Sequence, residues 1–123
     1  MTAEEEQIQA FEEVFANLKE MLHLTDEIMI RLYTIFFKTV PATMKMLQEA
    51  IAVEDYDAIK SHAHSVKGSS SSLCYSTISE IAKTIEKNAE ANEHYAYEQA
   101  FRELTAQFDA AQRNYTLWIG KRG

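Results

Sequence analysis

The chain has 123 residues, of which 46% are hydrophobic and 25% charged, a length and composition typical of one globular domain. Two of its three glycines stand at positions 120 and 123, which excludes the glycine-rich loops that bind ATP or dinucleotides. The net charge of -7 argues against a nucleic-acid partner, and the single cysteine excludes an internal disulfide and a multi-cysteine zinc site.

The sequence contains no obvious targeting or membrane-spanning segment. The N-terminal residues are acidic and polar, unlike a secretory signal peptide. The longest apolar stretch, from Ile28 to Val40, is interrupted by Arg31 and Lys38 and is shorter than the roughly 20 residues that a membrane span requires. We therefore predict a cytoplasmic protein that binds neither membranes nor nucleic acid.

Apolar residues recur every three or four positions along the whole chain, and no sustained two-residue alternation typical of β-strands is present. A first helix is predicted at about 4–22. Four more helices are predicted at about 26–53 with a break near Pro41, and at about 56–73, 77–91 and 95–118. Thr25-Asp26 is expected to start the second helix, and Thr77-x-x-Glu80 is predicted to open the fourth as a capping box.

The connections between these helices are only a few residues long, which favours antiparallel neighbours. The predicted fold class is therefore all-α, an antiparallel up-and-down four-helix bundle with an additional N-terminal helix, and residues 1–123 are expected to form a single domain. The four serines of 69–72 could instead link two smaller domains. Against this alternative, the apolar period continues through them, and two halves of this chain would have marginal cores.

One face of the 56–73 helix carries the residues with chemical potential. At about 100° per residue, His64 points roughly 130° away from the centre of the apolar stripe and is predicted to face solvent. Its neighbours three, four or seven positions away on the same face are Lys60, Lys67, Gly68 and Ser71. The helix would therefore present an imidazole, two ammonium groups and a small residue together.

The chemistry of this face suggests an acceptor for a phosphoryl group. A solvent-exposed imidazole is largely neutral at pH 7, so that its ring nitrogen is a nucleophile without a general base. Lys67 could balance negative charge delivered to that nitrogen. A glycine inside a helix costs about 1 kcal/mol relative to alanine, so Gly68 suggests that a bulky group or a partner must come close to His64.

A metal site is a weaker interpretation of the same residues. His62 lies about 160° around the helix from His64, so the two side chains cannot bind one metal together. A ferritin-like enzyme would need Glu-x-x-His motifs on two inward helix faces, but Glu20-x-x-His23 is the single match.

The stretch from Ala63 to Ser70, with sequence AHSVKGSS, resembles the motif of histidine-containing phosphotransfer (HPt) domains. The family pattern is Ala-His-x-apolar-Lys-Gly-Ser followed by small residues, and the resemblance extends over about 28–115. Val66 replaces the commoner leucine, and the segment Leu73-Cys74-Tyr75 stands where many members have a glycine.

The resemblance implies a phosphorelay intermediate without an ATP site of its own. His64 would accept a phosphoryl group from the receiver-domain aspartate of a hybrid sensor histidine kinase and pass it to the aspartate of a response regulator. Lys67 would neutralise phosphate charge, Gly68 would provide clearance, and Lys60 and Ser71 are the candidate docking residues. The chain would need no cofactor, because Mg²⁺ is expected on the partner receiver domain, and a monomer is expected because His64 must be accessible to two partners in turn.

A different functional class fits the same composition. A non-catalytic helical adaptor could bind a signalling partner through its acidic surface, with His64 playing no part. The presence of the acceptor-type histidine within its motif favours the phosphotransfer interpretation.

Overall fold

The computed structural model of the chain describes residues 1–122, so that Gly123 lies outside the described residues. Five α-helices account for most of this range: α1 Ala3–Leu22, α2 Asp26–Ala52, α3 Tyr56–Ser72, α4 Ser76–Glu90 and α5 Tyr97–Arg122. No strand occurs within residues 1–122, which confirms the all-helical prediction. The predicted limits of the helices agree closely, except that α5 ends four residues beyond the predicted 118.

The first three helices begin where a side-chain oxygen replaces the missing backbone acceptor. Thr2, Thr25 and Asp55 are the N-caps of α1, α2 and α3, and each accepts a hydrogen bond from the backbone N–H three residues later. The predicted start of the second helix at Thr25-Asp26 is therefore confirmed.

The predicted capping box at Thr77-x-x-Glu80 is wrong. Helix α4 begins at Ser76, one residue before Thr77, and follows Tyr75 without any side-chain hydrogen bond at the cap. The threonine thus lies inside the first turn of the helix.

The turn between α3 and α4 explains this earlier start. The N–H of Tyr75 donates to the carbonyl of Ser70 at 2.9 Å, and Cys74 adopts a left-handed backbone conformation with φ of 60°. The ring of Tyr75 stacks on Phe36 with 5.3 Å between the ring centroids. Because the turn and this aromatic contact fix the position of Tyr75, the next helix starts directly after it.

Helix α2 is continuous from Asp26 to Ala52, so the predicted break near Pro41 is also wrong. A proline inside a helix removes one backbone hydrogen bond and typically costs about 3 kcal/mol or more. Here Val40 and Met44, on either side of the proline, are both buried in the core. Burial of the apolar face on both sides of Pro41 offsets that cost and maintains one helix.

The core is one hydrophobic cluster with members from all five helices. An aromatic group joins α1 to two other helices: Phe15 of α1 lies 4.6 Å from Trp118 of α5 and 6.0 Å from Tyr33 of α2, measured between ring centroids. The N-terminal helix is therefore part of the core and not merely attached to its outside.

The serines of 69–72 form the last turn of α3 and are not an extended linker. Helix α3 packs against both α2 and α4, while α5 contacts α4, α2 and α1. Within residues 1–122, no helix combines the length and the apolar character needed to cross a membrane.

Candidate functional site

Helix α3 is amphipathic, and its two sides have opposite environments. Ile59, Ala63, Val66 and Ser70 lie on the core side and are completely buried. The side chain of His64 lies on the outer side and is 70% exposed, as the helical period predicts.

A carboxylate from the neighbouring helix holds the His64 ring. Oε2 of Glu86 on α4 lies 2.5 Å from Nδ1 of His64, and Oε1 of the same carboxylate accepts a hydrogen bond from Nζ of Lys67 at 2.7 Å. Lys67 is one turn after His64 on α3, so the imidazole of His64 and the ammonium group of Lys67 contact the same carboxylate. The three side chains form a compact triad between α3 and α4.

Glu86 is largely buried, unlike most glutamates on a helix. Burial by itself would raise the pKa of its carboxyl group, but the hydrogen bonds from Lys67 and His64, together with the positive charge of Lys67, outweigh it and lower the pKa below the ordinary value. The carboxylate is therefore ionised at neutral pH and available to accept both hydrogen bonds.

The position of Glu86 decides which nitrogen of His64 is free. A carboxylate can only accept, so Nδ1 must carry a proton to bond with it. In the neutral ring, the lone pair then lies on Nε2, which has no hydrogen-bond partner among residues 1–122. The triad thus presents Nε2 as an exposed nucleophile.

The surface next to the ring is an open depression with charged and polar walls. Its lining residues are Asp57, Lys60, Ser61, His64 and Glu86. Lys60 is exposed one turn before His64, so the structure places this candidate docking residue directly beside the ring.

Gly68 is exposed one turn after His64, in the interior of α3. A Cβ added at this glycine would meet no atom within 4 Å apart from its own helix backbone and neighbours. Packing within the chain therefore does not require glycine here, although glycine weakens the helix. The absence of a side chain leaves open the surface next to the imidazole.

Ser71 is directed toward α4. Its hydroxyl lies 2.6 Å from the hydroxyl of Ser79, and Ser79 in turn donates a longer hydrogen bond of 3.5 Å to the backbone carbonyl of Lys67. This candidate docking residue thus connects α3 to α4 at a position about two turns after His64 on α3.

The other histidine of α3 is separate from this group. His62 is half-buried on the opposite flank of the helix. Among the residues that the structure describes, no three histidine, cysteine or acidic side chains are placed to hold a metal ion.

Glu86 is the site residue that the sequence pattern does not reveal. It directly follows Ile85, so it lies at the edge of the buried stripe of α4, and this position is the only signal in the sequence. Helix α4 also contains Glu80 and Glu90, both exposed. Which of the three carboxylates reaches His64 depends on how α3 and α4 are aligned, and periodicity does not give that alignment.

Comparisons with known proteins agree with this arrangement of helices. A family model described as the Hpt domain matches residues 31–114. The crystal structure of histidine-containing phosphotransfer protein B (HptB) from Pseudomonas aeruginosa PAO1 is similar, with a TM-score of 0.72 and 22% sequence identity over 89% of this chain and 90% of that chain. At this level of identity the structural similarity is one of fold. The comparison with curated proteins yields no match.

Proposed function

Because the chain belongs to the family of Hpt domains, whose members carry phosphoryl groups in phosphorelays, we propose that His64 is its phosphoacceptor. The donor would be a phosphorylated receiver-domain aspartate of a hybrid sensor kinase, and the recipient would be the aspartate of a response regulator. The observation that carries this proposal is the exposed imidazole whose Nδ1 is bound by Glu86 and whose Nε2 is free.

The chemical step needs little from this chain besides the imidazole. The lone pair of Nε2 attacks the phosphorus of the aspartyl phosphate, the P–N bond forms, and the aspartate carboxylate leaves with the electrons of the P–O bond. Nε2 has no proton to lose, so the step requires no general base. Glu86 is a positioning residue in this proposal, since it orients the ring and fixes its tautomer through Nδ1.

Lys67 has two tasks in this proposal. One of its three ammonium hydrogens binds Glu86, and the remaining two are available to oxygens of an incoming phosphoryl group. Because Lys67 lies one turn from His64, its charge would offset that of the phosphoryl group in the transition state and in the product.

The partner would supply the rest of the machinery. A receiver domain is expected to bring the acidic pocket, its Mg²⁺ and the reacting aspartate, so this chain would need no cofactor and no ATP site of its own. The open surface at Gly68 would admit the receiver loops, and Lys60 and Ser71 are the proposed docking residues beside it.

We further propose that residues 1–123 form one domain in which α2 to α5 are an antiparallel up-and-down bundle with α1 as an additional helix. The contacts of α3 with α2 and α4, and of α5 with α4 and α2, support this arrangement. A monomeric state would keep His64 accessible to both receiver domains, and the cytoplasmic location stays a prediction.

The proposal is tested by incubating the chain with phosphorylated receiver domains in the presence of Mg²⁺. The expected result is acid-labile, alkali-stable label on the wild-type chain and on His62→Gln, which alters the other histidine of the same helix. His64→Gln is expected to remain unlabelled. Label that persists on His64→Gln would refute the assignment, and a chain that binds receivers but never accepts label would be an adaptor.

A further inference from the structure

The contact between Glu86 and Nδ1 has a further consequence once Nε2 carries a phosphoryl group. The carboxylate is largely buried and is fixed by Lys67 through its other oxygen, so its position does not depend on the His64 contact alone. It therefore stays next to Nδ1 whether or not the ring is phosphorylated.

We propose that Glu86 keeps the proton on Nδ1 of phosphorylated His64 and thereby maintains the phosphoryl group in its transferable form. This inference rests on the proposed function, because it presupposes that His64 accepts the group. It adds a second role for Glu86, which would promote transfer of the phosphoryl group to the next receiver domain as well as phosphorylation of His64.

The chemistry of departure shows why this proton matters. Attack of the neutral, Nδ1-protonated ring on phosphorus yields a phosphoimidazolium, whose ring carries a positive charge. When an aspartate carboxylate oxygen of the next receiver attacks, a P–O bond forms and the P–N bond breaks, with its electron pair returning to Nε2. The leaving group is then a neutral imidazole. If Nδ1 had lost its proton, the leaving group would be an imidazolate anion, which departs far less readily.

The electrostatics of the site favour the protonated ring. The Glu86 carboxylate lies directly against Nδ1, while the phosphoryl group would be attached to the nitrogen on the far side of the ring. Attraction between carboxylate and ring therefore acts over a shorter distance than repulsion between carboxylate and phosphoryl oxygens. The other charged side chains that share this face of α3 and α4 by position are Asp57, Lys60, Lys67, Lys83 and Glu90.

A protonated ring also leaves more readily to water. The arrangement therefore predicts a phosphohistidine that transfers quickly but hydrolyses faster than one without the carboxylate. Glu86→Gln separates the effect of the carboxylate charge from the orientation of the His64 ring. Its amide oxygen can still accept a hydrogen bond from Nδ1, but the negative charge is lost.

The experiment loads the full chain at His64 with the small phosphodonor phosphoramidate, which phosphorylates imidazole without a receiver domain. The Nδ1 proton is followed by long-range ¹H–¹⁵N NMR from about pH 5 to about pH 9, around the ordinary titration range of imidazole. The half-life of the phosphohistidine and its rate of transfer to an unphosphorylated receiver are measured on the same samples.

Glu86→Gln is expected to lose the Nδ1 proton at lower pH than the wild type. Near neutral pH, its phosphohistidine should survive about fivefold longer and transfer about fivefold more slowly, since a charge-assisted hydrogen bond becomes a neutral one. Glu80→Gln removes the same charge from an exposed position on another face of α4 and is expected to behave as the wild type.

Lys60→Met provides a test with the opposite sign. It removes a positive charge from beside the ring and keeps the Lys67 contact that holds Glu86, so the phosphorylated ring should keep its Nδ1 proton to higher pH than in the wild type. A shift in the same direction for both variants, or an unchanged titration and half-life in Glu86→Gln, would overturn the inference. Failure of the wild type to accept a phosphoryl group from any receiver domain would instead overturn the proposed function.

Discussion

Two side chains, His64 and Lys67, converge on the Glu86 carboxylate, and each of the three residues has a different physical role. In the proposed function, His64 provides the nucleophile, Glu86 fixes its tautomer, and Lys67 holds the carboxylate in place while retaining hydrogens for a phosphoryl group. The motif predicts His64 and Lys67 because they are close in sequence on one helix. It does not predict Glu86, because that contact depends on packing between two helices.

At Lys67, we expect substitution by alanine to slow phosphoryl transfer about tenfold, the cost of losing one hydrogen bond to a charged group. The rate is measured in a single turnover from a phosphorylated receiver domain at saturating concentration. Lys45→Ala, which removes an exposed lysine from α2, should leave that rate unchanged. Wild-type transfer by Lys67→Ala would remove the lysine from the mechanism.

At Gly68, substitution by glutamine should raise stability and impair transfer together. The helix gains up to about 1 kcal/mol of unfolding free energy, because glutamine is a better helix former and no atom obstructs its Cβ. The new side chain covers the approach to His64, so transfer should slow at least about tenfold. Urea unfolding and the single-turnover assay measure the two effects.

Gly120→Gln is the matched control for this prediction. Gly120 lies in α5, where an added Cβ also meets nothing within 4 Å. This variant should leave transfer unchanged, and it should gain less stability because Gly120 lies in the last turn of its helix. Unimpaired transfer by Gly68→Gln would show that the glycine does not provide clearance for the partner.

At the scale of helices, the sequence predicts most of what the structure shows. The period of apolar residues identifies all five helices, since each must bury one face, and Thr25 marks the start of α2 through its side-chain cap. The two errors, at Pro41 and Thr77, have one origin. Local signals indicate a break and a cap, but packing of Val40 and Met44 in the first case and of Tyr75 in the second determines the outcome.

The role of α1 is the least evident from the sequence, because the whole helix precedes the part of the chain, about 28–115, that resembles the family. The structure shows that Phe15 is buried against Trp118 and Tyr33. We expect Phe15→Ala to lower the free energy of unfolding by about 3 kcal/mol or more through the loss of this aromatic packing.

Val14→Ala is the control on the same helix. Val14 is adjacent in sequence but 47% exposed, so its truncation should change the unfolding free energy by less than about 0.5 kcal/mol. Urea denaturation followed by circular dichroism measures both variants. Equal effects would mean that α1 does not share the core of the other helices.

For the whole molecule, charge is distributed unevenly in a way that suits a carrier. The chain is acidic overall, with a net charge of -7, yet Lys60 and Lys67 flank the histidine. An incoming phosphoryl group would therefore meet two ammonium groups beside the histidine, and Asp57 and Glu86 offset part of their charge. The same triad also links stability to pH.

Acid should destabilise the fold partly through Glu86. Although burial opposes ionisation, its partners lower the pKa of Glu86 in the folded chain, so the folded state binds fewer protons than the unfolded state in moderately acidic solution. This contribution is complete above the ordinary carboxyl pKa and is lost as the pH falls through the lowered one. Glu86→Gln should therefore flatten the acid limb of the stability curve below about pH 5.

The stability curve is obtained from urea unfolding at successive pH values. Glu90→Gln, which removes the same negative charge, is the control. Glu90 is exposed, and its substitution should preserve the acid limb. An acid limb of wild-type steepness in Glu86→Gln would show that the His64 and Lys67 contacts do not stabilise the folded chain.

The central claim is that Nε2 of His64 carries the phosphoryl group. It is tested most directly by ³¹P–¹⁵N NMR on the chain with ¹⁵N-labelled histidine, after reaction with a phosphorylated receiver domain. A phosphorus coupled to Nε2 of His64, with Nδ1 still protonated by virtue of Glu86, is the expected result. Phosphorus on Nδ1, on another residue, or on no residue of the chain would contradict it.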